Sequence, residues 1–297
     1  MDTTLPLLSR APRAIPFSTR IVVLLGAPFS AFGWFFLAFG MMLAWVFAGH
    51  ADWSSVIYFH GELQRTRGTL TSTEQTRFSE GGSKTHRGTP IYAYHYEFTF
   101  NGTEYQGVSY RVGGGLGLSV GTVSVEFPAG QPARSRLTGM RRAPLGASAL
   151  LVLLFPAIGL ASVVGSVIKG RREAWLLAHG ELARGRLILK EPTRATTNKR
   201  PVYKLTFEFT DAFGEKRSAI TKTHLTERLE DDRMELILYQ THRPFRTALL
   251  DTLPGQQGFT ADGAIRPNGF GRVFRALAGP ILALLIVAGG LLIRMVL

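Results

Sequence analysis

Three stretches of the sequence contain no Asp, Glu, Lys or Arg, and they constrain the fold more than any other feature. They cover residues 21–49, 143–168 and 276–293. The hydrocarbon core of a bilayer is roughly 30 Å thick, so a helix needs about 20 apolar residues to cross it. We therefore predict three transmembrane helices, at residues 21–49, 143–168 and 276–297, the last of which includes the apolar residues after Arg294.

The rest of the chain has the composition of soluble domains. All 34 basic and 21 acidic residues lie outside the three apolar stretches. Two polar domains are predicted between the spans, at residues 50–142 and 169–255, with a tail at residues 1–20 and a linker at residues 256–275. The sequence contains no cysteine, which excludes a disulfide scaffold, a thiol nucleophile and a cysteine-bound metal.

Basic residues near the ends of the predicted spans indicate an orientation, because cytoplasmic loops carry an excess of Lys and Arg. Eleven such residues lie on the side of the N-terminus and seven on the opposite side. This difference predicts a cytoplasmic N-terminus, a first polar domain outside the cytoplasm and a second one inside it. The first apolar stretch is longer than the core of a cleaved signal peptide, so we interpret it as an uncleaved anchor.

The two polar domains resemble each other in sequence. The tetrapeptide His-Gly-Glu-Leu at residues 60–63 recurs at residues 179–182, an offset of 119. The alternating segment at residues 94–100 matches residues 203–209 at an offset of 109, and the residues after the next turn match at an offset of 112. The pattern predicts an internal duplication of one small fold.

Each copy is predicted to contain a short helix followed by five antiparallel strands. The helices are expected to end at Gly61 and Gly180 in the left-handed conformation. Aromatic residues at every second position of the central strand predict one buried face, and Asn101-Gly102 predicts a type I′ hairpin. The predicted helices are residues 51–60 and 170–179, and the predicted strands are residues 64–73, 92–100, 104–111, 122–127 and 134–138, with copies at 184–191, 203–210, 234–239 and 246–250.

The predicted fold class is therefore membrane α plus all-β. It consists of three transmembrane helices and two duplicated small antiparallel β-barrel or sandwich domains. A domain of this size has a thin core, so we expect the helix next to the membrane to cover one open end of each domain.

A late block of the first copy carries a resemblance to a known family. Residues 121–137 read Gly-Thr-Val-Ser-Val-Glu-Phe-Pro-Ala-Gly-Gln-Pro-Ala-Arg-Ser-Arg-Leu, after an aromatic strand that ends in Phe-Asn-Gly. This block resembles the bacterial membrane family called domain of unknown function 3592. The second copy lacks the first proline of the pattern at the position after Tyr239. The resemblance implies two tandem β modules tethered to the bacterial inner membrane, with no catalytic activity.

The repeated His-Gly-Glu triplet supplies candidate metal ligands or an acid/base pair. His60 with Glu62, and His179 with Glu181, provide two ligands each, and no third ligand follows at a fixed spacing. A histidine at the end of a helix and a glycine after it also suit helix capping. We therefore predict a structural role and expect no catalytic, metal or cofactor site.

A glycine-rich run follows the third strand of the first copy. Gly113, Gly114 and Gly115 lie in a segment that lacks the Gly-Lys-Ser/Thr ending of a phosphate-binding loop. The run is either a connecting loop that tolerates sequence change or a loop that contacts a ligand or partner. In the second case these three glycines are the candidate contacts.

The formal net charge of +13 indicates an acidic partner. We predict that this partner is the bilayer itself, through anionic lipid headgroups. Lys169, Arg171 and Arg172 are the candidate contacts, because they directly follow the second predicted span. A merely solvated surface and nucleic acid are the alternatives; nucleic acid is disfavoured because the aromatic residues line the predicted core face.

Together these patterns predict a non-enzymatic binding or scaffolding module of the cell envelope. A protein partner of unknown identity is expected at loops such as residues 74–89 and 112–120. One alternative is a membrane-surface hydrolase, for which only the scattered His95, His224 and His242 are available as bases. The other alternative is an accessory subunit of a transporter.

Overall fold

The computed structural model describes residues 8–82, 87–114, 121–197, 199–224, 226–229 and 234–296. The chain forms two compact units. One unit is Phe39–Pro156, and the other combines Met1–Ala38 with Ala157–Leu297. Each unit contains one five-stranded sheet.

Three long apolar helices dominate the helical part of the structure, as predicted. Among the described residues, three helical segments are long and apolar enough to cross a membrane: Pro28–His50, Ala147–His179 and Phe270–Ile293, with mean hydropathies of 1.9, 2.4 and 2.5. The five α-helices of the described residues are α1 (Phe17–Leu25), α2 (Pro28–Val46), α3 (Trp53–Ile57), α4 (Leu154–His179) and α5 (Phe270–Val296).

The first apolar stretch is interrupted, although a single helix is predicted there. α1 ends at Leu25, and the amide of Gly26 bonds to the carbonyl oxygen of Val22 at 2.8 Å. α2 then begins at Pro28. Proline has no amide hydrogen and its φ is fixed near the helical value, so it suits the first turn of a new helix. The long apolar helix α2 therefore starts several residues later than the apolar stretch.

The helix that follows each span differs from its prediction. In the second copy, residues 170–179 are not a separate helix, because α4 continues from the apolar stretch to His179 without a break. In the first copy, the predicted helix shrinks to the five residues of α3, where the Asp52 side chain accepts a hydrogen bond from the amide of Ser55. The two copies thus reach their sheets through helices of very different length.

The two glycines predicted to cap these helices also differ. Gly61 has a φ of 87°, in the left-handed region as predicted. Gly180 does not adopt a positive φ, so the prediction of a left-handed cap is wrong there. A side chain at Gly180 is excluded for another reason, since a Cβ would lie 2.5 Å from the carbonyl oxygen of Leu176 and 3.2 Å from that of Tyr239. This glycine allows the end of α4 to pass close to a strand.

The predicted fold class is confirmed by the two sheets, in which all strand pairs are antiparallel. The first sheet has the order β3-β2-β1-β4-β5 and the second has the order β10-β9-β6-β7-β8. These orders are equivalent when β6 to β10 are matched to β1 to β5. Because β8 and β10 also approach each other, the second sheet is a nearly closed barrel. The strands are β1 (Leu63–Glu80), β2 (Thr89–Phe100), β3 (Thr103–Val112), β4 (Thr122–Pro128), β5 (Arg136–Leu137), β6 (Glu181–Thr197), β7 (Arg200–Thr210), β8 (Lys216–Thr223), β9 (Glu235–Gln240) and β10 (Arg243–Leu249).

The strand register corrects the alignment of the two copies. β1 and β6 each slip twice against the next strand, and the two slips are equally spaced in both copies. Leu70 pairs with Tyr96, and Leu187 pairs with Phe207, beside the first slip. The first strands of the two copies are therefore offset by 117 residues in sequence, and the central strands by 111. The offset of 109 predicted for the central strands is therefore wrong by two residues.

The corrected register also matches residues that the sequence alignment left apart. Pro90 now corresponds to Pro201, and Tyr92 to Tyr203. The inward face is still the one predicted, because side chains alternate along a strand and a shift of two residues keeps every residue on its face. Alternation alone cannot distinguish these two alignments.

Each sheet packs around its own apolar core. Large buried side chains such as these typically contribute about 1.5–3 kcal/mol each to stability. The hairpin between β2 and β3 has φ values of 50° at Asn101 and 76° at Gly102, the positive pair that a type I′ turn requires, as predicted. The first core contains Leu70, Tyr94, Tyr96, Phe98, Val125, Phe127, Leu137 and Met140, and the second contains Ala183, Leu205, Phe207, Phe209, Ala219, Leu229, Ile237, Tyr239 and Leu249.

Residues 8–16, which we call the N-terminal arm, pack against the end of α4. The buried Arg13 side chain donates from Nη1 to the carbonyl oxygens of Leu177, at 3.1 Å, and Gly180, at 2.8 Å. Burial lowers the pKa of the Arg13 guanidinium, and the Glu181 carboxylate opposes this effect. The arm thus satisfies carbonyl groups that a helix C-terminus leaves without partners.

Candidate functional site

A groove of about 810 Å³ lies in the second unit, between the end of α4 and the strands β9 and β10. It joins charged and aromatic side chains in one concave site. We call it the basic groove. Its lining residues are Lys169, Arg171, Arg172, Glu173, Trp175, Leu176, Gln240, Phe245, Arg246 and Thr247.

The helical wall of the basic groove exists because α4 continues past the last apolar residue of the second stretch. Lys169, Arg172 and Glu173 lie within one turn of each other, since residues three and four apart share a helix face. Lys169 Nζ lies 3.6 Å from Glu173 Oε1. The Lys169 side chain is 72% exposed and that of Glu173 only 12%, so the carboxylate lies at the bottom of the groove and the ammonium group at its rim.

The second wall is shaped by an irregularity in β10. Arg243 pairs with Gln240, but the next registered pair is Thr247 with Tyr239, so the intervening residues leave the ladder. Pro244 begins this segment, and a proline cannot donate a ladder hydrogen bond. Bulges of this kind change the direction of side chains. Here the segment brings Phe245, which is 75% exposed, and the exposed Arg246 to the groove.

The corresponding arginine of the first copy has a different environment. Arg134 matches Arg246 at the offset of 112, and its guanidinium lies 3.7 Å from the ring centre of Tyr58. Arg136 lies 4.0 Å from the ring centre of Phe59 in the same way. Through these cation–π contacts the two arginines hold the segment before β1 against the sheet. In the second copy the equivalent position faces an open groove instead.

The structure brings together one of the two predicted sets of contact residues. Lys169, Arg171 and Arg172 all line the basic groove. Gly113 and Gly114 lie in the first unit at the end of β3, where Gly113 has a φ of 78° and a Cβ at Gly114 would lie 2.6 Å from the Tyr92 ring. Gly115, the third glycine of that set, lies outside the described residues.

Sequence reasoning missed the other seven groove residues, among them Trp175, Gln240, Phe245 and Arg246. One signal for Trp175 is available, because it lies one helical turn after Arg171 on the helix that continues from the span. Gln240, Phe245 and Arg246 come from a distant strand pair, and their position depends on the irregular register of β10.

His179 is the last residue of α4, as predicted, whereas His60 lies three residues after the end of α3. His179 Nδ1 lies 3.2 Å from the carbonyl oxygen of Trp175, and the two rings stack with 4.8 Å between their centres. His60 Nε2 contacts the carbonyl oxygen of Val56. Among the described residues, no group of three or more His, Cys, Asp or Glu side chains is arranged to hold a metal ion.

A smaller pocket of about 470 Å³ lies on the first sheet, at the first register slip of β1. Its lining includes Ser72, His95 and Glu97, and His95 Nε2 lies 3.4 Å from Glu74 Oε1. The hydroxyl of Thr71 donates to the carbonyl oxygen of His95 at 3.0 Å. No hydrogen bond between the described residues joins Ser72 to His95, which is the contact that an activated serine needs.

The side chains of the basic groove suit an anionic ligand that also carries other polar groups. Arginine presents several N–H donors in a fixed plane and binds phosphate with two parallel hydrogen bonds. Lysine adds a mobile positive charge at the rim. The aromatic rings of Trp175 and Phe245 supply an apolar surface next to these charges, which is typical of side chains at a membrane interface.

Comparisons with protein-family models, with curated proteins and with solved structures find no match. The resemblance to the family of unknown function 3592 therefore stays a prediction. The geometry and chemistry of the basic groove are the basis for a functional proposal.

Proposed function

We propose that this chain is a multi-pass membrane protein that acts as a non-enzymatic binding module, and that its basic groove holds the phosphate of a lipid headgroup. One observation carries the proposal. Three cationic side chains at the end of α4 and one from β10 meet around a single groove, and the first of them, Lys169, directly follows the second apolar stretch.

The position of the groove along α4 supports a headgroup as the ligand. If residues 143–168 cross the hydrocarbon core, Lys169 and the residues after it lie at the level of the headgroups. Each basic residue near an anionic surface contributes about 1 kcal/mol of attraction. On the same condition Trp175 lies about 9 Å further along α4, in the interfacial region where tryptophan is enriched in membrane proteins.

The proposal is tested by counting the phospholipids that remain bound to the detergent-solubilised chain in native mass spectrometry. The test variant is Arg171→Ala/Arg246→Ala, which removes one arginine from each wall. The control variant is Arg194→Ala/Arg200→Ala, which removes two exposed arginines from the strands β6 and β7, away from the groove lining.

We expect the groove variant to retain at least about tenfold less lipid than the wild type, because each hydrogen bond to a charged group contributes about 1.5–3 kcal/mol. The control variant is expected to retain as much as the wild type. Equal retention by both variants would contradict the proposal.

We also propose that the protein lies in the bacterial inner membrane with its N-terminus in the cytoplasm. The distribution of basic residues supports this orientation. The contact of the N-terminal arm with α4 and Gly180 supports a common side for the N-terminus and the second sheet. A reporter that is active only outside the cytoplasm is expected to work when fused after Arg111 and to fail after Lys222. Activity at both positions, or only at the second, would refute the orientation.

One observation favours a second candidate function, a membrane-surface hydrolase. The pocket on the first sheet brings His95 together with Ser72, and Glu74 approaches the imidazole to 3.4 Å. A fluorophosphonate probe, which labels activated serines, tests it. Labelling that Ser72→Ala abolishes would support the hydrolase, whereas equal labelling of the two proteins, or none, would exclude Ser72 as a nucleophile.

A further inference from the structure

The basic groove contains hydrogen-bond acceptors that a phosphate group cannot use. Glu173 lies at the bottom, and its carboxylate repels an anion. Gln240 lies on the opposite wall, and its buried Oε1 atom has no hydrogen-bond partner. A site for phosphate alone needs neither group, so their presence indicates a second part of the ligand.

Glu173 has capacity for a further donor. A carboxylate offers about four acceptor positions, and the nearest approach of Lys169 Nζ to it is 3.6 Å, at Oε1. That distance is longer than a normal hydrogen bond, and the mostly exposed Lys169 side chain is able to move toward solvent. A positively charged donor in the groove would compensate the charge of Glu173 better than Lys169 does.

Gln240 and Trp175 favour the same kind of group. A buried acceptor without a partner is unfavourable, and an N–H donor bound in the groove removes that cost. An ammonium group next to an indole ring also gains a cation–π attraction. Acceptors and an aromatic face thus lie beside the arginines that suit a phosphate.

We infer that the basic groove recognises a phosphoethanolamine group, with the phosphodiester at Arg171 and Arg246 and the ammonium at Glu173 and Gln240. The inference rests on the proposed function and names its ligand. Choline lacks N–H donors, and the glycerol hydroxyls of phosphatidylglycerol are neutral donors, which form weaker bonds to a carboxylate than an ammonium does. The group could come from phosphatidylethanolamine or from a soluble glycerophosphodiester, since both contain it.

The test is competition for the detergent-solubilised chain among phosphatidylethanolamine, phosphatidylcholine and phosphatidylglycerol with identical acyl chains, read by native mass spectrometry. The wild type is expected to retain the ethanolamine lipid about tenfold more than either of the others, since the charged donor adds a bond of the strength found for charged groups. Glu173→Gln is expected to remove most of this preference while binding of phosphatidylglycerol persists. The exposed Glu227→Gln serves as the matched control and is expected to keep the preference.

A second variant protects the test against a folding defect of Glu173→Gln. Gln240→Leu removes the acceptor without the partner and leaves the charge of Glu173 unchanged. It is expected to reduce the preference for the ethanolamine lipid as well. A preference that survives in both Glu173→Gln and Gln240→Leu would overturn the inference.

Soluble headgroups distinguish the two sources of the ligand. Displacement of the retained lipid by sn-glycero-3-phosphoethanolamine, but not by sn-glycero-3-phosphocholine, supports the inference and shows that the acyl chains are dispensable. Displacement by neither, with the lipid preference intact, supports it for the membrane lipid. Displacement by both compounds overturns it.

Failure of this inference is distinguishable from failure of the proposed function. Equal retention of the three lipids, lowered equally for all of them by Arg171→Ala/Arg246→Ala, would overturn the phosphoethanolamine inference and leave a general phosphate groove. If that double variant changes the retention of no lipid, both proposals are refuted.

Discussion

Arg13 provides a sharp test of how the N-terminal arm is held to the second unit. Its guanidinium is buried and donates to the carbonyl oxygens of Leu177 and Gly180, at 3.1 and 2.8 Å. The Arg13 amide also donates to the carbonyl oxygen of Ala178 at 2.8 Å. Arg13→Ala removes the side-chain bonds and leaves the backbone bond in place.

The expected magnitude follows from these contacts. Hydrogen bonds from a charged donor contribute about 1.5–3 kcal/mol each, so two of them at the lower limit amount to about 3 kcal/mol. The positive charge at a helix C-terminus adds to this value, while the desolvation of the buried guanidinium reduces it. Since 1.36 kcal/mol corresponds to a factor of ten, opening of the arm should become roughly a hundredfold more frequent.

Hydrogen–deuterium exchange of the full chain in detergent measures this opening. The amides of Ser9 and Arg13, which bond to Gly263 and Ala178, report on the arm directly. Arg10→Ala is the control, because Arg10 is exposed. Exchange in the arm should accelerate roughly a hundredfold in Arg13→Ala and remain unchanged in Arg10→Ala. Equal exchange in the two variants would refute the role assigned to Arg13.

Two further predictions concern the sheets. A Cβ at Gly68 would lie 2.7 Å from the carbonyl oxygen of Glu97, so Gly68→Ala should destabilise the first sheet by about 1–3 kcal/mol, measured by thermal unfolding. Burial, together with the Glu181 carboxylate that accepts its hydrogen bond at 2.9 Å, raises the pKa of Tyr239 to about 12. The folded state therefore favours the neutral phenol, and the full stabilisation is present below pH 10. The free energy of unfolding should fall by about 2–3 kcal/mol as the pH rises from 10 to about 12.

Matched variants control both measurements. Gly258→Ala places its Cβ where no heavy atom lies within 4 Å, so it should leave the unfolding temperature unchanged. A similar loss of stability in both glycine variants would contradict the close packing assigned to Gly68. Tyr239→Phe should lose the part of the alkaline dependence that Tyr239 causes, and an unchanged pH profile in that variant would assign the dependence to other groups.

The sequence predicted the spans and the strands because each is a local pattern. An uncharged apolar stretch of sufficient length finds a stable environment in a bilayer, whatever the rest of the chain does. Alternating aromatic residues at Tyr94, Tyr96 and Phe98 predict one buried face of a strand, and all three are buried. Asn101-Gly102 predicts its turn because the two residues tolerate positive φ values.

Prediction from the sequence failed where two local patterns are equivalent or where one pattern competes with another. The offset between the central strands was wrong by two residues because a shift of two keeps all side chains on the same faces. The first span was predicted as one helix because apolar composition does not report a break, whereas Pro28 starts a new helix after Gly26. The end of α4 was predicted as a separate helix although no residue interrupts it.

The sequence by itself determined that the chain has three apolar helices and two similar antiparallel sheets, because hydrophobic period and length are properties of short segments. Only the tertiary structure decided that the basic residues after the second apolar stretch face Gln240 and Arg246. Those residues are about 70 positions away along the chain, and the irregular register of β10 brings them to α4. A groove made from two distant segments depends on how the sheet closes, and no local pattern contains that information.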